Sequence, residues 1–255
     1  MMKNLRLLCH NVFWFQGYLF KTDQPLVPNQ TIIVKLCELY RTVAPDVICL
    51  QEIQNVETFE KVAEVLQMDG KWCPGIDLPQ YGGAMLWRKS LNGDIGRDAR
   101  TAKLRTQRMW QMLRIDIGQQ IIRICNVHLP SSRQLGEEMA AIHRINELKE
   151  AANDGEIPPE IVAGDMNEWP GNAVTATMQL CGYSDLAVLA GCGKQPSNIG
   201  VNRGDYIWSN RFFTDKFVSY GVITKEQLAC SGFAGLPAEK TYLSDHLPIW
   251  AEFKM

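Results

Sequence analysis

Residues Met109–Leu129 read MWQMLRIDIGQQIIRICNVHL, two apolar runs joined across Gly118-Gln119. Met109–Ile117 and Gln120–Leu129 are each of strand length and rich in β-branched residues, and a glycine between two such runs marks a hairpin. A hairpin imposes antiparallel pairing, so a purely parallel, doubly wound sheet does not suit this chain. Upstream, Leu5–Val12, Asp46–Gln51 and Ala84–Arg88 read as strands. Between them, Gln30–Thr42 (Ile32, Ile33, Leu36, Leu39, Tyr40) and Glu57–Met68 (Phe59, Val62, Val65, Leu66) carry helical spacing, the second stopped by Gly70. Downstream, Glu137–Ala152 reads as a helix with Met139, Ile142, Ile145 and Leu148 turned inward. Strand Glu160–Gly164, helix Asn172–Leu180 and strands Asp205–Ser209, Phe217–Thr224 and Leu247–Phe253 follow. Lys71–Gly83, Ser90–Gln107 and Glu226–Tyr242 read as irregular; loops that long in a compact domain are commonly functional. The order is mixed α/β, and two mainly antiparallel sheets packed face to face with helices outside would suit it.

With 255 residues and no linker-like stretch, the chain reads as one domain spanning 1–255. A net charge of −2 leans against a tight, non-specific nucleic-acid binder, which would carry a basic surface. None of the eight cysteines forms a C-x-x-C pair, and Cys9, Cys49 and Cys125 sit in apolar runs, so reduced core thiols of a cytoplasmic protein are expected. The run from Met1 lacks the features of a signal peptide, and no segment has the length of a membrane span.

The chemistry lies in where polar residues fall. Strand-like runs repeatedly meet an acid, amide or imidazole: Asn11, Glu52, His128, Asp165 with Asn167, Asp205, and Asp245-His246 before the last strand. Each alone could cap a turn or satisfy a neighbouring loop. Shared placement at strand ends is better explained by one site. Hard oxygen donors (Glu52, Asp165 or Asp245, and the Asn11 amide) suit Mg²⁺ or Mn²⁺. Such a cation neutralises charge on a phosphoryl group, and an imidazole beside a carboxylate can deprotonate water.

In order along the chain stand Leu8-Cys9-His10-Asn11-Val12, Pro45 through Leu50-Gln51-Glu52, Asn126-Val127-His128-Leu129, Gly164-Asp165-Met166-Asn167, Gly204-Asp205-Tyr206-Ile207-Trp208 and Ser244-Asp245-His246-Leu247-Pro248. This series resembles the endonuclease/exonuclease/phosphatase superfamily of deoxyribonuclease I-like phosphoesterases. That superfamily also includes abasic-site endonucleases, deadenylases, inositol-polyphosphate 5-phosphatases and neutral sphingomyelinases. The resemblance implies a four-layer α/β sandwich with the site at one end of its two sheets. It implies Glu52 as principal metal ligand with Asn11 and Asp245 nearby, for Mg²⁺ or Mn²⁺. His246, oriented by Asp205, would activate water or stabilise the phosphate; Asp165 and Asn167 would position nucleophile and phosphoryl oxygens. His128 would hydrogen-bond the phosphate and assist the leaving oxygen. The number of metals and the identity of the base stay open. Where relatives have threonine or serine before the asparagine, this chain has Cys9-His10, and His10 reads as structural because strand neighbours alternate faces.

The expected activity is a metal-dependent phosphodiesterase or nuclease acting on a phosphoester substrate, as a monomer. The alternatives are a phosphomonoesterase on a small molecule or lipid headgroup and an inactive binding relative. Among the basic residues Arg97, Arg100, Lys103, Arg105 and Arg108, the last is the expected substrate-binding residue, since relatives often carry an arginine there and its planar fork suits phosphate. Trp14 and Trp169 follow site residues in loops and could form a stacking rim; Trp110 and Trp208 read as core. Lys225 and Lys240 flank a stretch that could form a lid.

Overall fold

The computed structural model describes residues 4–18, 25, 27–118, 120–152, 157–230 and 241–255. Strands β1 (Asn4–Asn11), β2 (Val47–Gln51), β3 (Asp69–Cys73) and β4 (Gly83–Trp87) begin a first sheet. Strands β5 (Asp94–Asp98), β6 (Met109–Ile117), β7 (Gln120–His128), β8 (Ile161–Asp165), β9 (Tyr183–Asp185) and β10 (Asp205–Asn210) make a second. The chain then returns to the first sheet with β11 (Phe217–Val222), forms a small pair from β12 (Ala229–Cys230) and β13 (Thr241–Tyr242), and ends in β14 (Ile249–Lys254). The two six-stranded sheets run β11-β14-β1-β2-β4-β3 and β5-β6-β7-β8-β10-β9. Only β1 with β2 and β7 with β8 are parallel among the paired strands. The expected hairpin is β6–β7, paired without a break from Met109 opposite His128 to Ile117 opposite Gln120. Gln119 of its turn, and Lys240 with most of the stretch read as a lid, lie outside the described residues.

Leu5, Leu7, Val47 and Ile249 of the first sheet interleave with Leu113, Ile115, Ile124 and Ile161 of the second, all fully buried. Helices α1 (Gln30–Val43) and α2 (Val56–Leu66) bury Ile32, Leu36 and Val62 against the outer face of the first sheet. After a single turn, α3 (Ser132–Leu135), helices α4 (Glu137–Ala152) and α5 (Ala173–Leu180) set Leu148, Val174 and Met178 on the second. Each such side chain contributes about 1.5–3 kcal/mol on leaving water. The outcome is the four-layer sandwich. Between the sheets, Gln51 Nε2 donates to Asn126 Oδ1 at 2.7 Å, while Asn126 Nδ2 donates to the carbonyls of Leu50 and Ala84. This buried amide joint pins the two sheets together next to their polar end.

Three readings need correction. Helix α2 stops at Gln67, left-handed at φ 58°, and Gly70 lies inside β3, where a Cβ would stand 2.6 Å from the Met85 carbonyl. The stretches 71–83 and 90–107 contain the end of β3 and all of β5, both edge strands whose polar sequences hide the alternation of a half-buried strand. Helix α4 turns Ala140, Arg144, Glu147, Leu148 and Glu150 inward, leaving Met139 and Ile142 about half exposed (49% and 48%). The neighbouring loop supplies the reason: Glu147 accepts the Gln107 amide at 2.9 Å, and Glu150 accepts those of Lys103 and Leu104. Backbone donors buried under a helix require acceptors, and carboxylates supply them.

Candidate active site

Strand register places the polar ends at one level. Asn11 pairs with Gln51, the residue before Glu52; His128 pairs with Asp165; Asp165 pairs with Asp205 across β8–β10. Asn11 Nδ2 donates to both Glu52 Oε1 and Asp165 Oδ2 at 3.1 Å, joining the sheets. Its Oδ1 accepts the Phe13 amide at 3.0 Å, so the Asn11 side chain is held between the two carboxylates. Asp165 Oδ1 accepts the Asn167 amide at 2.9 Å, and Asn167 Nδ2 donates to the Leu129 carbonyl. His246 Nδ1 lies 2.8 Å from Asp205 Oδ2, leaving Nε2 3.9 Å from Asp165 Oδ2. Ser244 Oγ donates to the Asn11 carbonyl, anchoring the Asp245-His246 segment to β1. His10 is structural: Nδ1 meets the Tyr40 hydroxyl, Nε2 the His246 carbonyl, and burial pushes its pKa down to about 3.

Backbone strain gathers here. Glu52 (φ 62°), Asn167 (φ 50°) and the consecutive Phe13, Trp14 and Phe15 (φ 48°, 50° and 54°) are left-handed. Each costs roughly 1–2 kcal/mol for an L-residue and persists only where surroundings hold it. At the aromatic turn the holding bonds are Phe13 N–H to Asn11 Oδ1, Trp14 N–H to the Glu52 carbonyl and Trp14 Nε1 to the Gln80 carbonyl.

Burial, and then the neighbouring Asp245, push the Glu52 pKa up to about 7; burial likewise raises Asp245. Glu52 Oε2 and Asp245 Oδ1 are buried without a hydrogen-bond partner. Two buried carboxylates left with unpaired oxygens and mutual repulsion are what a hard divalent cation relieves. Asp165, Asp205 and His246 also offer donor atoms within 4.8 Å of one another; Asp205 Oδ2 is taken by His246 Nδ1, while Asp205 Oδ1 is buried without a partner. The pair Glu52 and Asp245, carboxylates alone, suits a hard cation better than a set that includes an imidazole. Burial works against a charged His246, yet Asp205, Asp245 and Asp165 outweigh it and hold its pKa well above the ordinary range.

A cleft of about 980 Å³ opens over these groups, lined by Glu52, Arg108, Asp165, Asn167, Asp245 and His246 among others. Arg108 lies with its guanidinium carbon 4.2 Å from the Tyr81 ring centroid and a guanidinium nitrogen against His128 Nε2. His128 is fully buried, 3.5 Å from Asp165 Oδ2, and its pKa is driven well down by burial and by Arg108. Arg108 lines the cleft and His128 lies buried behind it. The other basic residues are occupied elsewhere: Arg97 over Trp110, Arg100 on Asp98 and Arg105 on Asp77.

Several supporting residues gave no sequence signal. Ser197 Oγ, buried, donates to Asp205 Oδ2 at 2.6 Å and accepts the Asp205 amide at 3.0 Å, fixing the carboxylate that holds His246. Arg144 bonds Glu168, the Pro130 carbonyl and Ser132, fastening the β7–α3 and β8–α5 loops together. An arginine and a glutamate 24 residues apart carry no motif in one sequence.

A polar cleft floored by paired carboxylates and an Asp–His couple, at one end of a two-sheet sandwich, defines a metal-dependent phosphoesterase. The pattern of the Endonuclease/Exonuclease/phosphatase family matches residues 31–246, and the chain belongs to that family of phosphoester-hydrolysing enzymes. Among curated proteins none matches the sequence. Solved structures share the fold. TDP2 of D. rerio complexed with a single-strand DNA product is 17% identical, with a TM-score of 0.69 over 99% of both chains. The human Nocturnin catalytic domain with bound sulfate is 18% identical, with a TM-score of 0.62 over 99% of this chain and 93% of that one. A Bacteroides thetaiotaomicron mannosyl-6-phosphatase is 16% identical, with a TM-score of 0.67 over 98% and 100%. Among the described residues no helix is long and apolar enough to cross a membrane.

Proposed function

We propose that the protein is a phosphodiesterase, hydrolysing a diester of a nucleic acid or nucleotide with Mg²⁺ or Mn²⁺ as cofactor. The observation that carries this reading is the pair of unpartnered, buried carboxylate oxygens on Glu52 and Asp245 at the floor of the cleft. These two residues hold the cation, and Asn11 keeps Glu52 and Asp165 aligned through its amide. When bound, the ion neutralises charge developing on the phosphoryl oxygens. Asp165, fixed by Asn11 and Asn167, accepts the proton of the attacking water as the water oxygen bonds to phosphorus. The ester P–O bond opposite breaks, and its oxygen leaves with a proton taken from solvent. His246, turned by Asp205, donates from Nε2 to a phosphoryl oxygen, and Arg108 binds a second. The eight free cysteines, five of them buried, support a reducing compartment such as the cytoplasm.

Turnover of a nucleotide diester, a phosphomonoester and plasmid DNA, each with Mn²⁺ and with excess chelator, tests the reading. Diester or DNA hydrolysis that chelator abolishes is expected, with E52Q and H246A lowering turnover by at least about a hundredfold. Undiminished activity in chelator, or hydrolysis of monoesters alone, refutes it.

A further inference from the structure

Beyond the reacting groups, the cleft wall contains a short turn, Trp169-Pro170-Gly171-Asn172. Proline second and glycine third at φ 91° suit a tight turn, and the Asn172 amide reaches the Trp169 carbonyl at 3.4 Å. Both ends are bolted down. Glu168, one residue earlier, is buried: Arg144 pairs with its carboxylate at 3.2 Å and Tyr206 donates to its carbonyl at 2.9 Å. Gly171 N–H donates to Thr175 Oγ1, which itself donates to the Asn172 carbonyl.

Two side chains on this turn are spent on nothing. Trp169 is 59% exposed, and among the described residues its indole has neither a ring partner nor a hydrogen bond. Asn172 occupies the N-cap of α5 but makes no side-chain cap bond, because Glu168 Oε2 takes the Val174 amide instead. An N-cap asparagine ordinarily uses its oxygen there. Here a buried glutamate caps the helix and the amide is left facing the cleft. Leaving an indole in water is unfavourable, and a rigid ring beside a bidentate amide matches a flat heteroaromatic that stacks and presents donor–acceptor edges. Asn167 stands two residues before Trp169, so a group stacked there adjoins the phosphate.

We infer that Trp169 and Asn172 form a nucleobase subsite, which makes a nucleotide or single-stranded nucleic acid the substrate class of the diesterase proposed above. The inference rests on that reading for the position of the phosphate, but it is tested by binding alone. Calorimetric titration with Mn²⁺ compares non-hydrolysable phosphonate analogues of adenosine 5′-monophosphate and of ribose 5-phosphate. Wild-type protein is expected to prefer the nucleoside analogue by at least about 10-fold, the worth of one stacked base. W169A should lose that preference, W169F should keep most of it, and N172A should weaken it, while affinity for the ribose analogue stays constant. Because Trp169 is exposed, melting temperatures of the variants should match wild type. Equal affinities for the two analogues in wild type, or equal losses for both in W169A, overturn the subsite. Parallel turnover of the corresponding methyl diesters separates the two claims: binding preference without hydrolysis refutes only the diesterase, and hydrolysis without preference only the subsite.

Discussion

Arg144→Met is expected to cost the protein about 3–5 kcal/mol, since Arg144 is a buried residue of helix α4 at the edge of the cleft. Its guanidinium donates to the Pro130 carbonyl at 2.7 Å, to Ser132 Oγ at 2.6 Å and to Glu168 Oε1 at 3.2 Å. Both ion-pair partners are under 5% exposed. Charge-assisted hydrogen bonds contribute about 1.5–3 kcal/mol each, but methionine refills much of the volume and water can reach the loop ends. What remains is dominated by Glu168, left as a buried carboxylate with the Val174 amide as its partner. Breaking a buried pair from one side costs roughly 3–5 kcal/mol for that reason. At about 2–4 °C per kcal/mol for a chain of this size, melting should fall by roughly 6–20 °C. In an E168Q background, where no charge is stranded, the same substitution should cost less than half as much. Urea unfolding of the four proteins of this cycle measures both terms. A loss below about 1 kcal/mol, or an equal loss in both backgrounds, refutes the reasoning. Turnover should fall as well, since the two loops that Arg144 joins carry Asn167 and flank His128.

Gly164→Ala should destabilise the fold by about 2–4 kcal/mol and nearly abolish activity, because a Cβ there, at φ 153°, would lie 1.9 Å from the Val127 carbonyl and displace Asp165; an unchanged urea midpoint would contradict the β7–β8 packing. Burial pushes Glu147 up to about 7 from an ordinary 4.5. The folded protein therefore binds this proton more tightly than the unfolded chain, and the site loses stability as pH rises from about 4.5 to about 7, by up to roughly 3 kcal/mol, and levels off above. E147Q, neutral throughout and still able to accept the Gln107 amide, should gain on wild type across that window, and a pH-independent difference in melting temperature would count against it. Saturating Mn²⁺ at about 100 times its Kd should stabilise wild type by about 2.7 kcal/mol and D245N far less. Equal melting shifts in the two proteins would remove Asp245 from the cation site.

How much of this could be read in advance differs element by element. The β6–β7 hairpin was legible because two apolar runs flank a glycine. Helices α1 and α2 were legible because their apolar stripes face a sheet. Edge strands β3 and β5 were not, since a strand pairing on one side can be polar nearly throughout. The inward face of α4 was misread because Arg144, Glu147 and Glu150 answer donors and acceptors of loops 12 to 47 residues away rather than a greasy surface. Asn11, Glu52, Asp165, Asn167, Asp205, Asp245 and His246 do converge on one end of the sandwich, with Arg108 over them.

The sequence by itself determined the element types and the identity of the polar residues at strand ends, because hydrophobic periodicity and strand boundaries are local properties. Which atom each residue offers was decided only by the tertiary structure. Asn11 spends its amide on Glu52 and Asp165, 41 and 154 residues away; His128 turns beneath Arg108; Ser244 reaches Asn11 across 233 residues. Hydrogen-bond direction, desolvation and like-charge repulsion depend on neighbours brought together by sheet register, and in these residues they act only once the two sheets have closed.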